Sequence, residues 1–306
     1  MAVSAPAPAG ARRPRLQTLL GEQPIGYLFV APFVIFLIAI YAYPFFYSIY
    51  MSFYDYFFAA PGAVVDRPFV GLANYTRAVQ DPLFHIALRN VVIFLLINVP
   101  VTVVVAMVLA TALNAAIPLR SFFRAAYYVP YVTASVAAVS IWLWLFGGPG
   151  LVNKVSGPLA PNPTWLVNAF WVMPIIALYV TWKGLGLYIL LYLAALQNIA
   201  KELYEAASVD GAGRIRSFLV VTVPGLRPAT LLVVITSVIT GANLFTEPYL
   251  LTGGGGPDNQ SVSPVFLLYR QGIEQNHPGY AAAMGLLLVL GVLIVSAINR
   301  FVLERE

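Results

Sequence analysis

The chain has 306 residues, of which 60% are hydrophobic and only 9% are charged. Soluble globular domains carry about 25% charged residues, so this chain has too few charges to cover a water-exposed surface, and lipid is expected to cover much of it. The absence of cysteine excludes disulfides and thiolate metal sites. The formal net charge is +5, but the basic residues sort by predicted loop, which argues against nucleic acid as a partner.

Residues 1–22 are rich in Ala, Pro and Gly and are predicted to form a disordered cytoplasmic tail. The apolar run that follows is longer than the core of a signal peptide, and no small-residue cleavage site comes after it. This run is therefore predicted to be a retained membrane helix. Residues 23–306 are predicted to form one transmembrane domain.

Six stretches are each long and apolar enough to cross a bilayer, for which a helix needs about 20 predominantly apolar residues. The predicted spans are 25–50, 91–115, 126–146, 169–193, 229–251 and 280–299. Six spans place both termini on one side of the membrane, and the tail and loops on that side hold 11 of the 17 Lys and Arg residues. Because basic residues accumulate on the cytoplasmic side, both termini are predicted to be cytoplasmic. The predicted fold class is all-α.

The cytoplasmic segment between the fourth and fifth spans, residues 198–228, has a helical pattern of its own. Residues 201–209 are mostly good helix formers. Gly211 and Gly213 follow directly, and glycine accepts the positive φ that ends a helix. Pro224 and Pro228 then mark the return to the membrane. The pattern predicts a short helix–turn–helix lying under the bilayer.

This segment contains Glu205-Ala206-Ala207-x-x-Asp210-Gly211-Ala212, followed by Phe218, Val223-Pro224 and Pro228. That motif resembles the cytoplasmic loop of binding-protein-dependent ABC permeases. The resemblance implies the fold of a type I ABC importer permease, in which the loop forms coupling helices that seat in a groove of the ATPase subunit. The residues that it assigns to ATPase coupling are Glu205, Ala206, Ala207, Asp210, Gly211, Ala212, Phe218 and Pro224. For Glu205 an alternative remains, a solvated carboxylate paired with Lys201 four residues earlier.

Other segments resemble the carbohydrate-uptake branch of that family, which includes the maltose-transporter permeases. They are residues 69–75, 150–153, 194–199, 252–257 and 279–283. Two positions depart from the branch's usual pattern, Ala200 in place of proline and Val223 in place of leucine. The resemblance implies a bacterial plasma-membrane location and four further chains in the complex: a second permease, two ATPase subunits and an extracytoplasmic solute-binding protein.

No ATP-binding loop is predicted on this chain, because none of its three lysines ends a Gly-x-x-x-x-Gly-Lys-Ser/Thr motif. ATP and Mg are therefore expected on the partner ATPase, with no cofactor here. The two histidines, His85 and His277, lie far apart and do not predict a metal site. No grouping of nucleophile and base predicts catalysis, so the chain is expected not to be an enzyme.

Two ionisable residues fall within predicted spans, where they are costly and usually face protein or water. Residues 243–249, which include Glu247, resemble the fifth-span segment that lines the solute path in the sugar branch. The candidate path residues are Asn243, Phe245, Glu247, Tyr249 and Lys183. Alternatives remain open: Lys183 could reach the inner membrane interface or pair with a partner carboxylate, and Glu247 could be an interfacial residue at a helix end.

Two other classes of protein are alternatives. An ion-coupled secondary transporter predicts internal repeats and charge pairs inside the bundle, which the sequence does not clearly show. A membrane-embedded enzyme requires nucleophile, base or metal ligands at one depth. Neither explains the coupling segment. The particular sugar, the true substrate-contacting residues, the partner permease, and whether the pair is a homodimer or a heterodimer are left open by the sequence.

Overall fold

A computed structural model describes residues 25–115 and 118–303. The predicted tail, 1–22, lies outside the described residues. The backbone is helical almost throughout, and between the described residues the sole β-type pairing is an isolated bridge of Tyr54 with Phe69. The predicted all-α fold class is therefore confirmed. The contacts divide the chain into two units, Met1–Tyr50 and Met51–Glu306.

One apolar helical run begins at Ile25 in the first unit and ends at Ser52, just inside the second. Helix α1 covers Ile25–Leu37, a π-turn covers Ile38–Ala42, and α2 covers Tyr43–Ser52. Pro44 has no N–H, and its ring crowds the carbonyl four residues earlier, so the wider turn before it accommodates the proline. Together these elements are long and apolar enough to cross a membrane.

In the second unit, the most extensive helix–helix contact joins two long helices, Pro82–Asn114 and Val172–Leu196. Helix α3 covers Ala73–Gln80 and α4 covers Pro82–Asn114. Asp81 caps α4 by accepting a hydrogen bond of 2.8 Å from the Leu83 N–H, and proline at the first position suits a helix start. Helix α8, Val172–Leu196, matches the fourth predicted span.

The third predicted span is not one helix. Helix α5 covers Arg120–Val132 and α6 covers Ser135–Phe146, with extended backbone between them. A short α7, Leu151–Ser156, follows. Helix α8 then packs along both α4 and α5.

The segment after α8 has the predicted helix–turn–helix form. Helix α9 covers Lys201–Val209. Helix α10, Arg214–Ser217, leads through a π-turn at Phe218–Thr222 into α11, Val223–Gly225. The chain then bends by 68°.

The bend leads into α12, which covers Arg227–Ala242. The fifth predicted span, 229–251, is interrupted after Ala242, where α12 ends. The short helix α13, Thr246–Leu250, begins after an irregular stretch. Asn243 favours this break, since its side-chain amide donates to the Ile239 carbonyl at 2.8 Å and such local bonds compete with helix continuation.

The final elements are α14, Pro264–Tyr269, a π-turn at Arg270–Glu274, and α15, Pro278–Leu303. Within the described ranges, four helical segments are long and apolar enough to span a membrane, and the bent pair Arg214–Gly225 with Arg227–Ala242 supplies a fifth. The apolar part of α15, Pro278–Ile294, is shorter and lies at the sixth predicted span. Helical structure thus occupies all six predicted positions.

Candidate functional site

A cavity of about 320 Å³ lies among α5, α8, α12 and α13 and brings together two of the candidate residues. Lys183 comes from α8 and Glu247 from α13, and within the described part of the chain no salt bridge joins them. The other polar side chains of the lining are hydroxyl-bearing: Tyr131, Tyr188, Thr236 and Thr240. The cavity is therefore lined by one cation, one carboxylate and four hydroxyl-bearing side chains among apolar walls.

The Lys183 ammonium binds the backbone at the break between α5 and α6. A helix end leaves backbone carbonyls without intrahelical donors, and at membrane depth such groups need a partner within the protein. The Lys183 Nζ donates to the Thr133 carbonyl at 2.8 Å. This hydrogen bond gives the carbonyl at the helix break a charged donor and holds the Lys183 amino group at the cavity. Thr133 was not predicted, although Pro130 three residues earlier was a usable signal for a break.

The remaining candidate path residues lie around α13. The Phe245 and Tyr249 rings stack with centroids 5.5 Å apart, and Tyr269 meets Phe245 edge to face. Tyr249 lines a second cavity of about 520 Å³, whose charged members are Arg270 and Glu274.

The five candidates are therefore not one cluster. Lys183 and Glu247 share the first cavity and Tyr249 lines the second. The Phe245 ring stacks on Tyr249 beside the second cavity, while the Asn243 amide is bonded to its own helix. The lining hydroxyls of Thr236 and Thr240 were missed by sequence reasoning, although their spacing of four residues on one span was a usable signal.

The coupling segment ends α9 in a Schellman motif. The Ala212 N–H donates to the Ala207 carbonyl at 2.9 Å, and the Gly211 N–H donates to the Ser208 carbonyl at 3.0 Å. Gly211 has a φ of +75°, the left-handed conformation that this motif places at its glycine. The predicted turn at Gly211 is thus present, and its geometry requires glycine.

The outer face of this turn is open to a partner. Glu205, Ala206, Asp210 and Gly211 are exposed, and no ion pair links Glu205 with Lys201 in the part of the chain that is described. Three large apolar side chains are also exposed nearby: Leu203, Val209 and Ile215. Apolar groups grouped with charges on a surface are typical of a protein interface.

Two residues of the predicted coupling set lie elsewhere. Phe218 is half-buried and packs against the core cluster that contains Leu226. Pro224 is exposed but stands in α11, on the far side of the π-turn. Both residues lie in the connection from the turn to the bundle and are not on the exposed face of α9.

A family model and several known proteins match most of this chain. A family model described as binding-protein-dependent transport system inner membrane component matches residues 90–305. The chain is 36% identical to the arabinooligosaccharides transport system permease protein AraP of Bacillus subtilis (strain 168), over 96% of this chain and 93% of the relative. It is 33% identical to the lactose transport system permease protein LacF of Rhizobium radiobacter, over 92% of this chain and 94% of the relative.

A solved structure shares the fold. It is a bacterial ABC transporter involved in the import of the acidic polysaccharide alginate, with a TM-score of 0.79 and 19% sequence identity. The alignment covers 95% of this chain and 99% of that chain. At this identity the likeness shows the fold alone.

Proposed function

Because this chain belongs to the binding-protein-dependent transport system inner membrane components, in the carbohydrate-uptake branch, we propose that it is one permease subunit of an ATP-driven importer. With a second permease it forms the path for a sugar or sugar-like solute. The observation that carries the proposal is the exposed Schellman turn at Gly211, which lies inside the matched family region and presents charged and apolar groups to a partner.

The proposed complex contains two ATPase subunits in addition to the two permeases. ATP and Mg bind on those subunits, and an extracytoplasmic solute-binding protein delivers the solute. In this mechanism the ATPases close on nucleotide and push α9, the permeases open toward the binding protein, and hydrolysis returns them to the inward-facing state. The charge distribution supports an orientation with both termini and α9 in the cytoplasm.

The cavity of Lys183 and Glu247 supports a sugar as the solute. A pyranose or furanose ring presents hydroxyls that both donate and accept hydrogen bonds. The ammonium can donate and the carboxylate can accept. The Thr236 and Thr240 hydroxyls donate to the Leu232 and Thr236 carbonyls, so both can accept from the solute. The stacked rings of Phe245 and Tyr249 offer apolar faces nearby. The relatives that transport arabinooligosaccharides and lactose make these two sugars the first ones to test.

The first experiment tests coupling through the Gly211 turn. Gly211→Pro is incompatible with a φ of +75°, because proline holds φ near −65°, and it also removes the N–H that donates to Ser208. Gly213→Pro is the matched control, since Gly213 has a φ of −66° and no atom of the described residues lies within 4 Å of the position that its Cβ would take.

Cells expressing the chain with its neighbouring reading frames would be given radiolabelled arabinotriose or lactose, and the detergent-solubilised complex would be probed for a co-purifying ATPase. We expect Gly211→Pro to abolish uptake while membrane insertion stays intact, and Gly213→Pro to retain uptake. Normal uptake by Gly211→Pro would contradict the docking role of the turn. Uptake that persists when the ATPase is inactivated would instead indicate an ion-coupled transporter.

A second experiment tests Glu247 as part of the solute path. Glu247→Ala removes the acceptor from the cavity and leaves Lys183 bonded to Thr133. We expect reduced uptake and weaker stimulation of ATP hydrolysis by the loaded binding protein. If both stay unchanged, Glu247 is an interfacial residue outside the path.

A further inference from the structure

Helix α9 is attached to the bundle by very few side-chain contacts. All its residues are exposed or half-buried. In the described ranges, Tyr204 is the one α9 residue whose side chain makes a hydrogen bond, its hydroxyl lying 3.0 Å from the Thr222 hydroxyl. Thr222 is 2% exposed, so this bond joins a projecting helix to a buried anchor.

Thr222 occupies a mechanically important position. It is the last residue of the π-turn Phe218–Thr222 and leads through α11 to the 68° bend before α12. Leu226, at the bend, is fully buried in the core cluster formed with α4 and α8. A displacement of Thr222 is therefore passed to the start of α12, the helix that carries Thr236 and Thr240 into the first cavity.

A second contact holds the segment that precedes α9. The Ile199 side chain packs against Gly225. A Cβ added to Gly225 would lie only 2.8 Å from the Ile199 Cδ1. A helix held only at its beginning can swing about that point. The bond from Tyr204 adds a second point of attachment and fixes the direction of α9 against the bend.

We propose that Tyr204 and Thr222 are positioning residues that make α9 and the start of α12 move as one body. This inference rests on the proposed function, in which a partner ATPase pushes α9. Without the bond, α9 follows the ATPase while α12 lags behind. ATP is then hydrolysed in cycles that import no solute, although the docking surface is unchanged.

The test is the number of ATP molecules hydrolysed per sugar imported, measured with the whole complex in proteoliposomes using arabinotriose or lactose, whichever the wild type imports. Tyr204→Phe and Thr222→Val each remove one hydroxyl and keep the shape. We expect each to raise this ratio about two- to tenfold, the factor by which loss of one net hydrogen bond shifts an equilibrium. The double variant should show no larger rise than either single variant, because both remove the same bond.

Two controls separate coupling from general damage. Thr222→Ser keeps the hydroxyl and should retain the wild-type ratio. Tyr192→Phe makes the same chemical change within the bundle, where the Tyr192 hydroxyl donates to the Thr230 hydroxyl at 3.1 Å, and should also leave the ratio unchanged. A wild-type ratio in Tyr204→Phe, or additive rises in the double variant, would overturn the proposal.

A measurement on the full chain alone keeps this result distinct from the proposed function. The chain has no cysteine, so Val209→Cys on α9 and Leu232→Cys on α12, both exposed positions, accept spin labels without further changes. We expect the distance distribution between the labels to broaden in Tyr204→Phe and not in Tyr192→Phe. An unchanged distribution refutes the attachment. Broadening in a chain that proves to use no ATPase supports the attachment and refutes the proposed function.

Discussion

The backbones of α8 and α5 approach each other closely at Gly186. A Cβ at this position would lie 2.6 Å from the Tyr127 carbonyl oxygen and 2.7 Å from the Tyr128 Cα. These are backbone atoms, so no side chain can rotate out of the way. Real Cβ contacts essentially never fall below 3.0 Å. Gly186→Ala must therefore move α5 away from α8 by at least 0.4 Å, the difference between 3.0 and 2.6 Å.

The size of the effect follows from two opposing terms. Forcing an extra methyl group into a packed site costs about 1–3 kcal/mol, while replacing glycine by alanine within a helix gains about 1 kcal/mol. Gly291→Ala on α15 is the control, because no described atom lies within 4 Å of its Cβ position and only the gain applies. We therefore expect the free energies of unfolding of the two variants to differ by about 1–3 kcal/mol.

The assay is unfolding of the purified chain in mixed micelles, followed by circular dichroism as denaturing detergent is added. Gly186 lies one helical turn after Lys183, and α5 carries Tyr131 into the same cavity. The displacement should therefore also lower sugar uptake in cells. Equal stability of Gly186→Ala and Gly291→Ala would refute the close packing of α5 on α8.

Three further outcomes are expected. Asn90→Ala removes the amide that donates to two carbonyls of the loop 253–263, at 2.9 and 3.0 Å; amide hydrogen exchange in that loop should accelerate, and unchanged exchange would show that the loop is held by other contacts. Asn98→Val removes a buried bond of 2.9 Å to Thr181 between α4 and α8 and should cost about 1 kcal/mol of unfolding free energy; a stability equal to the wild type would contradict this. Gly211→Ala meets no clash among the described residues but strains the backbone by about 1–2 kcal/mol. Amide hydrogen exchange in α9 should therefore accelerate without loss of membrane insertion. Exchange at the wild-type rate would contradict the strain.

Features that depend only on residues close together in the chain could be predicted from the sequence alone. The low fraction of charged residues indicates lipid contact, because a surface that faces lipid carries few charges. The end of α9 was predicted at the observed residues, since a glycine-bearing Schellman turn depends only on neighbouring positions. Helical structure at all six predicted spans could also be predicted, because the length of an apolar stretch is a local property of the sequence.

Only the tertiary structure showed what stabilises the break in the third predicted span. Pro130 lies close to this break, but the Thr133 carbonyl there is satisfied by Lys183 from another helix. The meeting of Lys183 with Glu247 in one cavity and the bond from Tyr204 to Thr222 likewise join residues far apart in the chain. Composition and periodicity describe what a segment needs locally, whereas these contacts depend on which helices the packing of the bundle brings together.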